Sequence, residues 1–188
     1  MTFKLHTIIA STRPNRVGPT VANWFHDHAV AHGRFDATLI DLADFKLPVF
    51  DEPKHPRLGQ YEHEHTKRWS ASVKAADAFV FVSPEYNYAP PPSLLNALTY
   101  LAAEWNYKPL GIVSYGGISG GLRAAQIARS IVTTLKMMPI PEGVPVPNFA
   151  QFIGQDGVFT PNDPMKQGAT LMLDELHKWT GALKPLRG

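Results

Sequence analysis

Apolar residues fall along this chain in two alternating rhythms, short β-branched or aromatic runs and longer stretches with apolar positions every three or four residues. Phe3 to Ala10 (FKLHTIIA) predicts a first strand. The helical spacing of Val17, Val21, Phe25 and Ala29 follows, closed by Gly33, and Phe35 to Leu42 predicts a second strand. Residues 43–60 carry Pro48, Pro53, Pro56 and Gly59 and read as a loop, before a polar helix over about Tyr61 to Ala76. Ala78-Phe79-Val80-Phe81-Val82 is unbroken and apolar, the mark of a strand covered on both faces. A proline-rich loop from Pro84 to Pro92 leads into a helix from Ser93 through Ala103. Leu110 to Ser114 predicts a fourth strand, and about Gly120 to Leu135 a helix with Ala124, Ala128, Ile131 and Leu135 on one side. Prolines within Met137 to Pro147 allow only a short edge strand. Met165, Ala169, Met172, Leu176 and Trp179 define a last helix over about Asp163 to Thr180.

Strands alternating with helices predict right-handed βαβ units, hence an α/β fold around a five-stranded parallel sheet with helices on both faces. No repeat or linker interrupts it, so residues 1–188 are expected to form one domain. Composition narrows the function. With 44 % apolar and 18 % charged residues, the chain resembles a folded domain rather than a disordered one. The net charge is only +2 and the basic residues are scattered, which argues against a nucleic-acid partner and suits small anions. No apolar run is long enough to span a membrane, and Met1-Thr2-Phe3-Lys4 shows no signal-peptide pattern, so a cytoplasmic location is expected. The absence of cysteine excludes disulfides, thiolate metal sites and cysteine catalysis.

Ligands of open parallel sheets bind beyond the carboxyl ends of the strands. Three strand ends here carry unusual polar loops, 11–18, 84–88 and 114–121. In the first, the hydroxyls of Ser11 and Thr12, the Arg13 cation and backbone N–H groups at Val17 and Gly18 suit a phosphate monoester. In the others, Tyr86, Tyr88 and Tyr115 suit a flat heterocycle. N–H groups at Gly116 and Gly117 are placed to stabilise negative charge on its edge, and Asn87 to meet its opposite side. Each loop also has a plainer reading, as a solvated turn with packed tyrosines.

The order S-x-R, then P-E-Y-N, then S-Y-G-G-x-S-G-G resembles the NADPH-dependent FMN reductase family over nearly the whole chain. P-E-Y-N followed by Asn96-Ala97-Leu98 is its most diagnostic part. The resemblance implies a flavodoxin-like three-layer sandwich with FMN as cofactor and NADPH or NADH as electron donor. The implied acceptor is a small molecule such as a flavin, quinone, azo compound or metal oxyanion. It assigns the phosphate to Ser11, Arg13, Arg16, Val17 and Gly18, and the ring to Pro84, Glu85, Tyr86, Asn87, Ser114, Tyr115, Gly116 and Gly117. Chemistry would rest on N5 of FMN, with no catalytic side chain. Arg16 or Arg123 would meet a 2′-phosphate of NADPH. A homodimer or tetramer is implied, with Tyr100, Trp105 and Tyr107 as interface aromatics, although Leu95 and Thr99 replace charged residues that join subunits in some relatives.

Two rival functions have their own sequence support. Gly117-Ile118-Ser119-Gly120-Gly121 matches the nucleophile elbow of serine hydrolases, with Asp163 or Asp174 and then His177 in the required order. A flavodoxin-type electron carrier would share the fold, but such carriers are typically acidic. The pairs His26/His28 and His63/His65 sit two apart, which on a helix separates them by about 200° and is unsuited to a shared metal.

Overall fold

The computed structural model describes residues 2–187, so Met1 and Gly188, the ends of the expected domain, lie outside the described residues. Five strands form one parallel sheet: β1 (Phe3–Ile9), β2 (Phe35–Asp41), β3 (Ala78–Pro84), β4 (Pro109–Tyr115) and β5 (Met138–Val146), in the order β2-β1-β3-β4-β5. Among the described residues six α-helices connect and cover them: α1 (Gly18–His32), α2 (Leu42–Phe45), α3 (Glu64–Ala75), α4 (Pro92–Thr99), α5 (Leu122–Thr133) and α6 (Asp163–Leu183). Every residue of β3 and β4 is buried, as their apolar runs predict.

Alternation along the strands divides the core. Val80, Val82, Leu5 and Ile9 face α1 and α6, whereas Phe79, Phe81 and Ile8 face α3, α4 and α5. Each large apolar side chain removed from water on either face contributes about 1.5 to 3 kcal/mol. The sheet order makes β1, β3 and β4 neighbours, so the three polar loops leave it side by side. β5 lies at the edge as expected but is not short: it runs nine residues, its prolines accommodated because one side is unpaired, and its register against β4 slips between Leu110 and Ile112. Arg129 of α5 fills that irregularity by donating to the carbonyls of Ile140 and Pro141.

Several boundaries differ from the sequence reading. Leu42 opens the short helix α2, capped by the Asp41 carboxylate, where a loop is expected. α4 stops at Thr99 rather than reaching Ala103. There the Glu104 carboxylate turns inward to accept hydrogen bonds from Tyr61, Ser70 and the Ala102 N–H, which bends the chain out of the helix. The same turn buries Tyr100 and Trp105, at 0 % and 1 % exposure. Tyr100 donates to Asp51 and the Pro48 carbonyl, and Trp105 packs among Trp69, Phe79 and Phe81. Neither is an interface aromatic; only Tyr107, half-buried beside Lys136, retains exposed ring surface.

His63 and His65 also depart from expectation. α3 begins at Glu64, so His63 precedes the helix in extended backbone and its ring stacks on His65 at 5.2 Å. Both rings turn toward Asp51, with the His65 Nε2 at 2.9 Å from its carboxylate. Among the described residues, no group of three potential ligands has the geometry to hold a metal ion.

A buried histidine on β1 makes stability depend on pH. His6 packs edge-on to Phe79 and its Nδ1 lacks a hydrogen-bond partner. Burial, then the Lys108 and Lys4 charges, push its pKa from 6.5 down to about 4. The unfolded chain therefore takes up a proton that the native chain refuses as pH falls from 6.5 to about 4. Stability from this group is complete above that window and lost across it, about 3 kcal/mol in all. Urea unfolding at pH 7 and pH 4 should show a smaller difference for His6→Asn than for the wild-type chain; identical pH dependence would remove His6 as the cause.

Candidate functional site

Three helices start at the carboxyl ends of β1, β3 and β4, and each start has a different fate. α4 opens on Pro91 and Pro92, which carry no N–H to offer. The start of α5 lacks a capping side chain of its own, but the Glu85 carboxylate fills it from 38 residues away. Glu85 accepts from the Arg123 N–H at 3.1 Å, the Ala124 N–H at 3.4 Å, the Ser119 hydroxyl at 3.0 Å and the Arg123 guanidinium at 2.8 Å. Burial alone would raise its pKa, but these donors, Arg123 first, more than offset that and hold it below the usual carboxylate range. The start of α1 is open. Val17 caps it without a side-chain hydrogen bond and no acidic residue sits in its first turn, although Pro19 there also carries no N–H.

That open start is where the first polar loop ends. Gly18 is its first residue, and a Cβ there would lie 2.8 Å from the Tyr115 hydroxyl. Arg13 is exposed and, among the described residues, forms no ion pair or side-chain hydrogen bond. Arg16, by contrast, is paired with Asp41 at the end of β2. Ser11 is 0 % exposed, and its Oγ lies 2.7 Å from the Tyr86 hydroxyl and accepts from the Arg13 N–H at 3.4 Å. Thr12 is exposed. An uncapped helix start beside an unpaired arginine is a donor set for a dianion such as a phosphate monoester.

The second loop is a tight hairpin. Tyr86 and Ala89 exchange backbone hydrogen bonds of 2.9 Å each, around Asn87 and Tyr88 at φ 50° and 68°. Such a turn needs positive φ at both central residues; asparagine accepts it readily and tyrosine does not. Tyr88 is 62 % exposed, and the Arg123 guanidinium lies over its ring at 3.8 Å. Pro84 is buried at the end of β3. Asn96 on α4 pins a neighbouring loop, accepting from the Phe50 N–H and donating to the Pro48 carbonyl.

In the third loop Ser114 is buried and donates to the Gly120 carbonyl at 2.8 Å. Tyr115 is 3 % exposed against Phe149, so it supports the loop from beneath and is not free to cover a flat ring. Gly116 donates to the Val146 carbonyl at 3.3 Å, while Gly117 is exposed with open space at its Cβ position. The N–H and carbonyl of Gly116 are thus both committed, to Val146 and Phe149, and of the two glycines expected to offer an N–H only the exposed Gly117 presents one beside the hairpin.

The three loops singled out in the sequence leave the sheet side by side, but several of their side chains face elsewhere than expected. Glu85 faces the start of α5 rather than a ring, and Arg16 and Arg123 are both committed to internal acids. The signal for Glu85 was present: α5 begins Gly121-Leu122, with no local capping residue, so an acceptor from elsewhere is required. The hydrolase triad does not form. Ser119 is bonded to Glu85 at the carboxyl end of the sheet, while His177 packs on Phe3 and Phe35, the first residues of β1 and β2. Strands of seven residues separate those ends by about 20 Å.

A doubly wound parallel sheet with an anion cradle after β1 and glycine- and tyrosine-bearing loops after β3 and β4 defines a flavodoxin-like protein. The chain belongs to the NADPH-dependent FMN reductase family, whose model matches residues 3–151. Along its full length it is 38 % identical to an NAD(P)H-dependent FMN reductase of Schizosaccharomyces pombe, covering 88 % of that protein. It is 30 % identical to an NADPH azoreductase of a Bacillus species, over 73 % of this chain and 74 % of the relative. The fold matches FerB, a flavoenzyme NAD(P)H:(acceptor) oxidoreductase from Paracoccus denitrificans, with a TM-score of 0.74 at 17 % identity over 97 % of this chain and 99 % of FerB. Family membership makes the chain an oxidoreductase with FMN as cofactor and NAD(P)H as electron donor. It decides against a simple electron carrier. No helix among the described residues is long and apolar enough to cross a membrane.

Proposed function

We propose that the chain acts as one FMN-binding domain, spanning residues 1–188, that passes electrons from NAD(P)H to a small acceptor such as a flavin, quinone, azo compound or metal oxyanion. The observation that carries this reading is the contrast between helix starts. α5 is closed by the Glu85 carboxylate, whereas α1 has neither a side-chain cap nor an acidic residue in its first turn and starts beside the unpaired Arg13, which favours an anionic cofactor group there. Bound FMN supplies two-electron transfer between nicotinamide and acceptor. The protein binds and orients: Arg13, Val17 and Gly18 hold the phosphate, and Asn87 and Gly117 meet the ring edge. Glu85 keeps the hairpin and the start of α5 in register through Ser119 and Arg123. No side chain here is required as a nucleophile.

A cytoplasmic location, where NAD(P)H is available, and a homodimer complete the proposal. The exposed side of α4, grooved between Leu47, Val49, Leu95 and Thr99, is the surface open to a second copy. Purified protein incubated with FMN and passed through gel filtration should co-elute with flavin absorbance and oxidise NAD(P)H when a quinone or azo dye is added. Flavin that separates from the protein would overturn the reading.

Ser119→Ala separates this function from hydrolysis. Its hydroxyl donates to Glu85 and accepts from the Gly121 N–H at 3.3 Å, contacts worth about 1 to 2 kcal/mol of stability. The variant should retain FMN and keep NAD(P)H oxidation within about tenfold of wild type. Esterase activity abolished by the substitution would favour the hydrolase instead.

A further inference from the structure

Ser11 stands at the phosphate loop but no solvent reaches it, at 0 % exposure. What covers its hydroxyl is Tyr86, whose Oη lies 2.7 Å away. The Tyr86 main chain is fixed in the hairpin by its paired bonds to Ala89, and its side chain is only partly buried. Two hydroxyls in contact hold two protons, and their mutual bond uses one. Either hydroxyl could donate in this pair, but the buried Ser11 proton meets no other acceptor among the described residues, so it is directed at Tyr86. The remaining proton then lies on the accessible member, the tyrosine. The same neighbourhood contains the Tyr115 hydroxyl beside Gly18. Burial raises the Tyr115 pKa, and the proximity of Tyr86 raises it further while Arg13 and Arg16 oppose the change.

We propose that the Tyr86 hydroxyl is the direct side-chain O–H donor to the cofactor phosphate, and that Ser11 is a positioning residue acting through it. This rests on the FMN reading above. It moves Tyr86 from the ring, where the sequence places it, to the phosphate. It also makes the P-E-Y-N hairpin serve both ends of one ligand, because Asn87 next to it remains at the ring edge. The chain Ser11, Tyr86, phosphate ties the loops after β1 and β3 into one unit when FMN binds.

The test titrates ligand-free wild type, Tyr86→Phe and Ser11→Ala with FMN and, separately, with riboflavin, which has the ring and lacks the phosphate. Tyr86→Phe keeps the ring of the tyrosine and removes only the hydroxyl. FMN affinity should fall about ten- to a hundredfold, as for a lost hydrogen bond to a charged group, with riboflavin affinity unchanged. Ser11→Ala should weaken FMN less, by about threefold, because the tyrosine remains. Equal losses of FMN and riboflavin in Tyr86→Phe would place the hydroxyl at the ring and overturn the proposal. So would unchanged FMN affinity, or a larger selective loss in Ser11→Ala. Failure of the wild-type protein to bind FMN would instead sink the function reading on which this rests.

Discussion

Replacing Arg13 with alanine is expected to weaken FMN binding by about one to two decades while leaving riboflavin binding unchanged. The guanidinium is the cation at the open start of α1 that no acid among the described residues neutralises, whereas Arg16 and Arg123 are paired with Asp41 and Glu85. A charge-assisted contact to phosphate is worth about 1.5 to 3 kcal/mol, and each 1.4 kcal/mol is about tenfold in affinity. Because Arg13 is exposed and contributes little to packing, the thermal midpoint of the ligand-free variant should stay close to wild type. Isothermal titration with both ligands makes the comparison. Parallel loss of FMN and riboflavin would mean that Arg13 supports the loop rather than the phosphate.

Gly121→Ala should be the most damaging single methyl group near the site. Gly121 has φ 78°, and a Cβ there would lie 2.9 Å from the Ser114 Cβ and from the N and O of Tyr115. Two of those atoms are backbone of β4, which cannot move aside without disturbing the sheet. Left-handed strain of about 1 to 2 kcal/mol adds to an overpacking cost of about 1 to 3 kcal/mol. A loss near 3 kcal/mol would lower the thermal midpoint by roughly 6 to 12 °C for a chain of this size. Gly117→Ala is the control, since nothing lies within 4 Å of its Cβ position. It should change stability by no more than about 0.5 kcal/mol. Equal midpoints for the two variants would refute the packing argument.

The chain's local chemistry was readable because it is local. The all-apolar run of β3, the helix stop at Gly33 and the proline-marked edge strand each depend on residues within a few positions. The three polar loops could likewise be placed at strand ends, and sheet order then brought them side by side. What stayed hidden depends on partners far along the chain. Glu85 meets Arg123 across 38 residues, and Ser11 meets Tyr86 across 75. Neither pairing leaves a periodic trace. The histidine pair failed for a smaller reason, a helix boundary three residues off, which moved His63 from the helix onto extended backbone. Tyr100 and Trp105 are interface aromatics only by resemblance, and no local pattern shows that the bend at Glu104 folds both inward.

The prolines of β5 bear on solubility. Met138 donates inward to the Lys108 carbonyl and Val146 accepts inward from Gly116, so the alternating residues Pro139 and Pro145 turn their backbone away from β4. On that outer rim an ordinary residue would display an N–H ready to pair with a strand of another molecule; proline has none. This border of the sheet is therefore poorly suited to templating the strand-by-strand stacking that seeds fibrils. Replacing both prolines with valine would restore two donors in a β-favouring stretch, with slower clearance of turbidity on refolding as the expected penalty.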